Sequence, residues 1–304
     1  MRKSIHFLAM GVLWVAAQAA FAQQQAIFSQ YMFNIMSINP AYTGSHEALS
    51  FTALSRWQWE GVDGAPNTQT FTMHSPLRNK QAALGLYVIN DNIGVANNTS
   101  VNVSAAYRIP TKRGYFSMGL QGGFSNYTAS FSTLNPQNPD PNLAENRTSD
   151  FLPNLGIGLF YYAEKWYAGL SMPQMFAVSV EEGGDEAVRQ IQHTFLIAGY
   201  VFDLSPRWKV RPNVLFKGVE GAPLQLDLNA NLILDDKYWV GASWRSFDSF
   251  QILLEWQALD NLRVGYAYDI TTTAINTVSS GSHEIAVNYR VKLRRDQIIT
   301  PRYF

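Results

Sequence analysis

His283-Glu284 sets an imidazole beside a carboxylate, the side chains from which metal sites and acid–base pairs are made. The setting removes that use. The pair opens the alternating run Ile285-Ala286-Val287-Asn288-Tyr289-Arg290-Val291, and in a strand neighbouring side chains point to opposite faces and cannot converge on one atom. The five histidines show no paired ligand spacing, and no GxSxG, phosphate-binding loop or HExxH occurs. Asp140, Glu145 and Asp150 could offer oxygens to calcium, but they lack dense ligand spacing and read as a solvated connector. Glu181, Glu182, Asp185 and Glu186 repel one another, which keeps that stretch extended and wet; contact with a basic partner or a cation is the alternative. Cysteine is absent, which excludes disulfides, thiolate metal sites and a lipid-bearing cysteine. The residues therefore predict a non-enzymatic protein with no cofactor and no metal.

The elements that carry these residues are strands. Leu224-Gln225-Leu226-Asp227-Leu228-Asn229-Ala230-Asn231-Leu232 places an apolar residue at every even position and a polar one at every odd position, a period of two. Leu262-Arg263-Val264-Gly265-Tyr266-Ala267-Tyr268-Asp269-Ile270 repeats the pattern. Similar segments fall near 50–60, 67–75, 82–91, 98–109, 114–126, 153–163, 165–172, 190–202, 208–217, 224–234, 237–246, 250–259, 262–271 and 282–291. Membrane-spanning strands are about 9–11 residues long, with one face toward lipid and the other toward a lumen. The expected fold is all-β: a transmembrane antiparallel outer-membrane β-barrel of about 14 strands. With 47% hydrophobic residues the mean hydropathy is only -0.12, as one-for-one alternation produces.

An even strand count puts both chain ends on the periplasmic side, so the odd gaps should lie outside. The longest connectors are odd gaps: Asn135 to Asp150, Pro173 to Arg189, and Thr272 to Gly281. The even gaps, such as Pro110 to Arg113, Asp235-Asp236 and Asp260-Asn261, are short and rich in turn formers. Arg56, Arg108, Lys209, Arg211, Arg245, Glu255, Arg263, Asp269, Glu284 and Arg290 are predicted to face the lumen, where mixed signs favour ion pairs that fill it over an ion pathway. Trp57, Tyr107, Trp166, Trp208, Tyr238 and Tyr289 lie near strand ends and suit interfacial girdles.

Met1-Arg2-Lys3, the apolar run from Phe7 to Ala17 and the small-residue site Ala20-Phe21-Ala22 read as a secretory signal peptide over residues 1–22, with cleavage expected before Gln23. No run approaches the ~18 apolar residues of a spanning helix. The chain carries 23 basic and 23 acidic side chains, and loss of Arg2 and Lys3 leaves the mature chain two units negative, which argues against nucleic acid as a partner. Residues 23–49 form an aromatic-rich segment that must bury its rings as a plug in the barrel mouth or on the periplasmic rim, with a short helix expected at 29–36 before Asn39-Pro40. The barrel spans 50–291, and the basic, aromatic residues 292–304 form a periplasmic tail.

Several separated motifs carry a resemblance across the mature chain. They are Phe28-Ser29-Gln30-Tyr31-Met32-Phe33-Asn34 with Asn39-Pro40-Ala41-Tyr42; Trp57 through Gly61 with Gly64-Ala65-Pro66; Gly221-Ala222-Pro223-Leu224-Gln225-Leu226-Asp227; Gly265-Tyr266-Ala267-Tyr268-Asp269; Gly281-Ser282-His283-Glu284-Ile285; and the end Pro301-Arg302-Tyr303-Phe304. In this order and spacing the chain resembles the PorP/SprF family of Bacteroidetes outer-membrane proteins, with Thr43 and Tyr303 as mild departures. The resemblance implies a barrel of the type IX secretion system and, in some members, of gliding motility, which helps secreted proteins with a C-terminal sorting domain reach or stay on the cell surface. Such a protein, other components of the secretion system and outer-membrane lipid are then the expected partners. A role of that kind needs surfaces, for which Phe28, Tyr31, Phe33, Tyr42, Glu181, Glu182, Asp185, Glu186, Arg302, Tyr303 and Phe304 are the candidates. A channel for small solutes is the alternative, since about fourteen strands enclose a lumen wide enough to need filling.

Overall fold

The computed structural model describes residues 27–78, 80–133, 147–176, 178–182, 185–291 and Tyr303. Fourteen antiparallel strands form a closed barrel. In chain order they are β1 (Leu49–Trp57), β2 (Asn67–Pro76), β3 (Ala82–Ile93), β4 (Ala96–Pro110), β5 (Gly114–Ala129), β6 (Arg147–Ala163), β7 (Trp166–Gln174), β8 (His193–Tyr200), β9 (Trp208–Val219), β10 (Gln225–Leu234), β11 (Tyr238–Arg245), β12 (Ser249–Leu259), β13 (Leu262–Thr271) and β14 (Ser282–Val291). Every strand pairs with its chain neighbours, and β1 closes the ring on β14 from Leu49↔Val291 to Trp57↔His283. Closure leaves the wall no unpaired edge, the condition for placing backbone in lipid.

Alternation decides the two faces. Along β10, Asp227, Asn229, Asn231 and Ile233 are buried in the lumen, while Leu228 and Leu232 face outward. Outward apolar side chains recur around the wall, among them Leu84, Val103, Leu120, Leu159, Leu170, Leu196, Val240, Ile252 and Ile285. On β3 the outward series Leu84-Leu86-Val88 gives way to Asn90 and Asn92, and Asn90 Nδ2 donates to Thr99 Oγ1 on β4 at 2.7 Å. That change from aliphatic to amide marks the upper limit of the lipid-facing band. Tyr107, Trp166, Trp208, Tyr238 and Tyr289 are half-exposed at strand ends on one rim and Trp57 at the other, where an amphipathic ring has both environments.

The connectors at one rim are short: 111–113, 164–165, 235–237 and 260–261. Those at the other include 58–66, the span between β5 and β6, the span between β7 and β8, and 272–281. In outer-membrane barrels the long loops are extracellular and the short turns periplasmic. Three boundaries differ from the sequence reading. β5 and β6 continue to Ala129 and back to Arg147, so the connector expected over Asn135 to Asp150 begins its return strand three residues before Asp150; residues 134–146, with Asp140 and Glu145, lie outside the described residues. The polar run Thr148-Ser149 pairs with Tyr127-Thr128 above the lipid band, where strands need no apolar face and hydropathy reads them as loop. Within the connector expected over Pro173 to Arg189, Val178–Glu182 and Asp185–Gln190 pair as a separate hairpin. The first strand stops at Trp57 because Trp59, at φ 53, turns the chain.

The N-terminal segment occupies the lumen. Residues 28–46 are all buried, and they pass from the long-loop rim, where Ile27 lies, to the short-turn rim, where β1 starts. Instead of one helix at 29–36 the segment makes three 3-10 turns, Tyr31–Phe33, Ile35–Ser37 and Pro40–Tyr42. Wall side chains take carbonyls that a longer helix would use: Ser171 Oγ donates to Ile38 O at 2.7 Å and Ser117 Oγ to Ala41 O at 2.6 Å.

The cysteine-free chain makes this path directly checkable. In intact cells a membrane-impermeant maleimide should label Ile27→Cys without permeabilisation, and should label Asp260→Cys, in a short turn, only after the outer membrane is opened. Labelling of Ile27→Cys only after opening would contradict the path.

Candidate functional site

Three sets of contacts hold the plug, one at each level of the lumen. At the long-loop end, Arg56, Asp269 and Glu284 project inward from β1, β13 and β14. Arg56 pairs with Asp269 at 2.7 Å and with Glu284 at 3.2 Å, all three side chains being buried. The two carboxylates accept from the plug: Ser29 N and Gln30 N donate to Glu284 at 2.9 and 2.8 Å, and Ser29 Oγ donates to Asp269 at 2.7 Å. Ser29 Oγ in turn accepts from Arg56 at 2.9 Å. Phe28 O accepts from Arg245, which also pairs with Asp227 at 2.9 Å.

At mid-lumen, Asn39 Nδ2 donates to Leu159 O at 3.0 Å while its Oδ1 accepts from Ala41 N. Wall glycines make the close approach possible. A Cβ on Gly119 would fall on the backbone of Pro40 and Ala41, and one on Gly265 would collide with the Gln30 side chain beside Phe33. Phe33 lies beneath the Arg263 guanidinium at 5.0 Å from its centroid, and Trp239 flanks the same cation at 4.6 Å. Arg263 is also bonded to Glu255, so a buried charge is both paired and stacked.

At the short-turn end, Arg108 donates to Gly44 O at 2.7 Å, His74 Nδ1 accepts from Gly44 N at 3.0 Å, and Thr43 meets Ser104 at 2.8 Å. His46 bridges Tyr42 and Ser50, at 2.9 and 2.8 Å. Tyr303 enters this mouth from the C-terminal side: Lys209 donates to its hydroxyl and sits over its ring at 4.8 Å, and Arg211 donates to its carbonyl. On the same rim outside the bore, hydrogen bonds from Lys165 and Arg207 hold the Asp203 and Asp235 carboxyls below their ordinary range.

The long-loop end opens into a vestibule of about 510 Å³. Ile27, Arg56, Arg245 and Lys217 line it together with Trp59, Pro66, Ile93, Val219, Pro223, Phe247, Asp91 and Asp248. Phe247 is 80% exposed, and both Trp59 and Phe247 hold positive φ angles that side chains seldom adopt. Trp59 is held there by its N–H, which donates to Ser282 Oγ at 3.1 Å.

The candidate residues drawn from the sequence therefore separate. Phe28, Tyr31, Phe33 and Tyr42 come together inside the lumen, where they pack the plug and present no surface to a partner. Glu181, Glu182, Asp185 and Glu186 meet in the hairpin, with Glu181 opposite Glu186 and Glu182 opposite Asp185. Tyr303 lies in the opposite mouth, and Arg302 and Phe304 fall outside the described residues. His283 points outward to Tyr266, at 2.8 Å, while Glu284 points inward, so the two do not cooperate. The vestibule residues Lys217, Trp59 and Phe247 were missed. Lys217 shares the odd lumen-facing register of Lys209 and Arg211 and was legible there; Trp59 and Phe247 sit in turns, where no period operates.

Removing one member of the upper lock leaves buried charge uncompensated, so Arg56→Met should cost about 3–5 kcal/mol. The check is the loss of folded barrel on a urea titration followed by gel mobility. Gly119→Val should likewise destabilise, since backbone and not a flexible tip occupies the space. A variant as stable as the parent in either case would contradict the lock.

The solved structures that resemble this chain are outer-membrane barrels. The Ralstonia pickettii toluene transporter TbuX matches at 10% identity and TM-score 0.52, covering 85% of this chain and 93% of that one. The Acinetobacter baumannii outer membrane protein Omp33 matches at 11% identity and TM-score 0.46, over 81% and 100%. At such identities the likeness concerns fold alone. No curated protein sequence matches the chain. The family model for the type IX secretion system membrane protein PorP/SprF matches residues 20–289, from before the plug to within the last strand, and the chain belongs to the PorP/SprF family.

Proposed function

We propose that this protein is a non-enzymatic outer-membrane barrel of the type IX secretion system that binds a secreted protein bearing a C-terminal sorting domain and holds it at the cell surface. The observation that carries the reading is the filled lumen. Residues 28–46 occupy the bore from rim to rim, bonded to the wall at every level. A bore filled by the chain's own described residues favours anchoring over the transport that a porin-like fold alone would equally suit.

Docking is assigned to the long-loop rim, where the vestibule, the 178–190 hairpin and the 272–281 connector lie. Contact with other envelope components is assigned to the short-turn rim and its aromatic tail. In this reading export depends on the signal peptide at 1–22, and the anchored cargo can include proteins of gliding motility.

The test is affinity purification from the native envelope. The full-length protein should co-purify with a sorting-domain protein, and removing the 178–190 hairpin or replacing 273–280 with a Gly/Ser linker should reduce the retained amount about tenfold while the barrel still assembles. If deletion of the gene left the secretion and surface display of every sorting-domain protein unchanged, the reading would fail.

A further inference from the structure

Lys217 projects into the lumen from β9 and lines the vestibule; it is only 2% exposed, and its Nζ meets no hydrogen-bond partner among the described residues. The two carboxylates that act on it electrostatically, Asp227 and Asp248, are each bonded to Arg245 instead. Arg56, also in the lining, is held by Asp269 and Glu284. The lining carboxylates have donors as well: Asp91 accepts from Thr68 Oγ at 2.6 Å and Asp248 from Ser249 Oγ at 3.2 Å. The vestibule thus contains a buried cation lacking an acceptor, while its anions are satisfied. A desolvated ammonium in that state is costly unless something brings it an oxygen.

We propose that the vestibule receives a carboxylate side chain on an apolar, extended segment of the secreted partner, with Lys217 as the charge-reading group at its base. The proposal rests on the docking reading given above and names the chemistry of that site. Pro66, Pro223, Val219 and Phe247 supply apolar walls, and about 510 Å³ is the size of a small ligand site. Walls of that kind suit the residues flanking an aspartate or glutamate better than a free, fully hydrated acid.

The test uses the purified full-length protein in detergent and isothermal titration with three probes: the peptide Ac-Pro-Val-Glu-Val-Pro-amide, its Gln counterpart, and glutarate. The Glu peptide should bind about tenfold or more tightly than the Gln peptide. Lys217→Met should erase that preference and Lys217→Arg should retain it. Because the substitution removes an uncompensated buried charge, Lys217→Met should unfold at the same temperature as the parent or a higher one. Equal binding of the two peptides overturns the proposal, as does a lowered unfolding temperature for Lys217→Met, which would mean the ammonium already has a structural partner such as the acidic hairpin. Glutarate binding as tightly as the Glu peptide overturns the assignment to a peptide segment. A sorting-domain protein retained equally by the parent and by Lys217→Met overturns this inference and leaves the docking function standing. If no such protein is retained by either, the function fails whatever the peptides do.

Discussion

Arg56 and Glu284 face each other across the seam where the first strand meets the last. The register that closes the barrel is therefore the register that brings a buried guanidinium to a buried carboxylate. Asp269, one strand further on, takes the other side of the guanidinium, and Ser29 of the plug bonds to all three side chains. Each charge would be expensive alone in so dry a place, so the closed seam and the seated plug stabilise one another. Further along the seam Asn288 donates to Ser50 and Thr52 at 2.9 Å, a neutral counterpart, and the Arg290 guanidinium reaches His46 at the plug's lower end.

Filling follows from that constraint. The wall contributes small residues where the plug comes closest, at Gly119 against its backbone and at Gly265 against the Gln30 side chain, and large ones where it leaves room, such as Phe160 against Tyr42 at 5.4 Å. Ile35 and Met36 are almost completely buried, each contributing about 1.5–3 kcal/mol relative to an exposed side chain. A lumen packed in this way resembles the interior of a soluble domain more than a pore, with lipid in place of water around it. Polar side chains that stay inside bond to one another, as Asn213 and Asn231 do to Asn229, and the vestibule marks where the filling stops.

The outer surface was the most legible part of the fold. Leu224 to Leu232 and Leu262 to Ile270 declared their two faces through period two, and the lumen charges Arg56, Asp269 and Glu284 fell on the inner face that the alternation assigned. Strand ends above the lipid were not legible, because Thr148 and Ser149 carry no apolar signal once lipid is absent. The plug's course was hidden for a different reason. Phe33 and Tyr42 announce burial, but their partners Arg263 and Phe160 are distant in sequence, and only the closed wall brings them together. The candidate docking site was obscured in the same way: Lys217 sat in plain register, yet its lack of an acceptor is a property of its neighbours and not of its own segment.

The proposed function rests on a segment that packs against the wall along residues 28–46. Hydrogen–deuterium exchange on the full-length protein in lipid nanodiscs addresses this most directly. A plug locked into the wall predicts that the amides of Ser29, Gln30, Asn39 and Gly44 exchange as slowly as those of β1 and β14. Exchange of residues 28–46 at the rate of a surface loop, with the strands still protected, would contradict it.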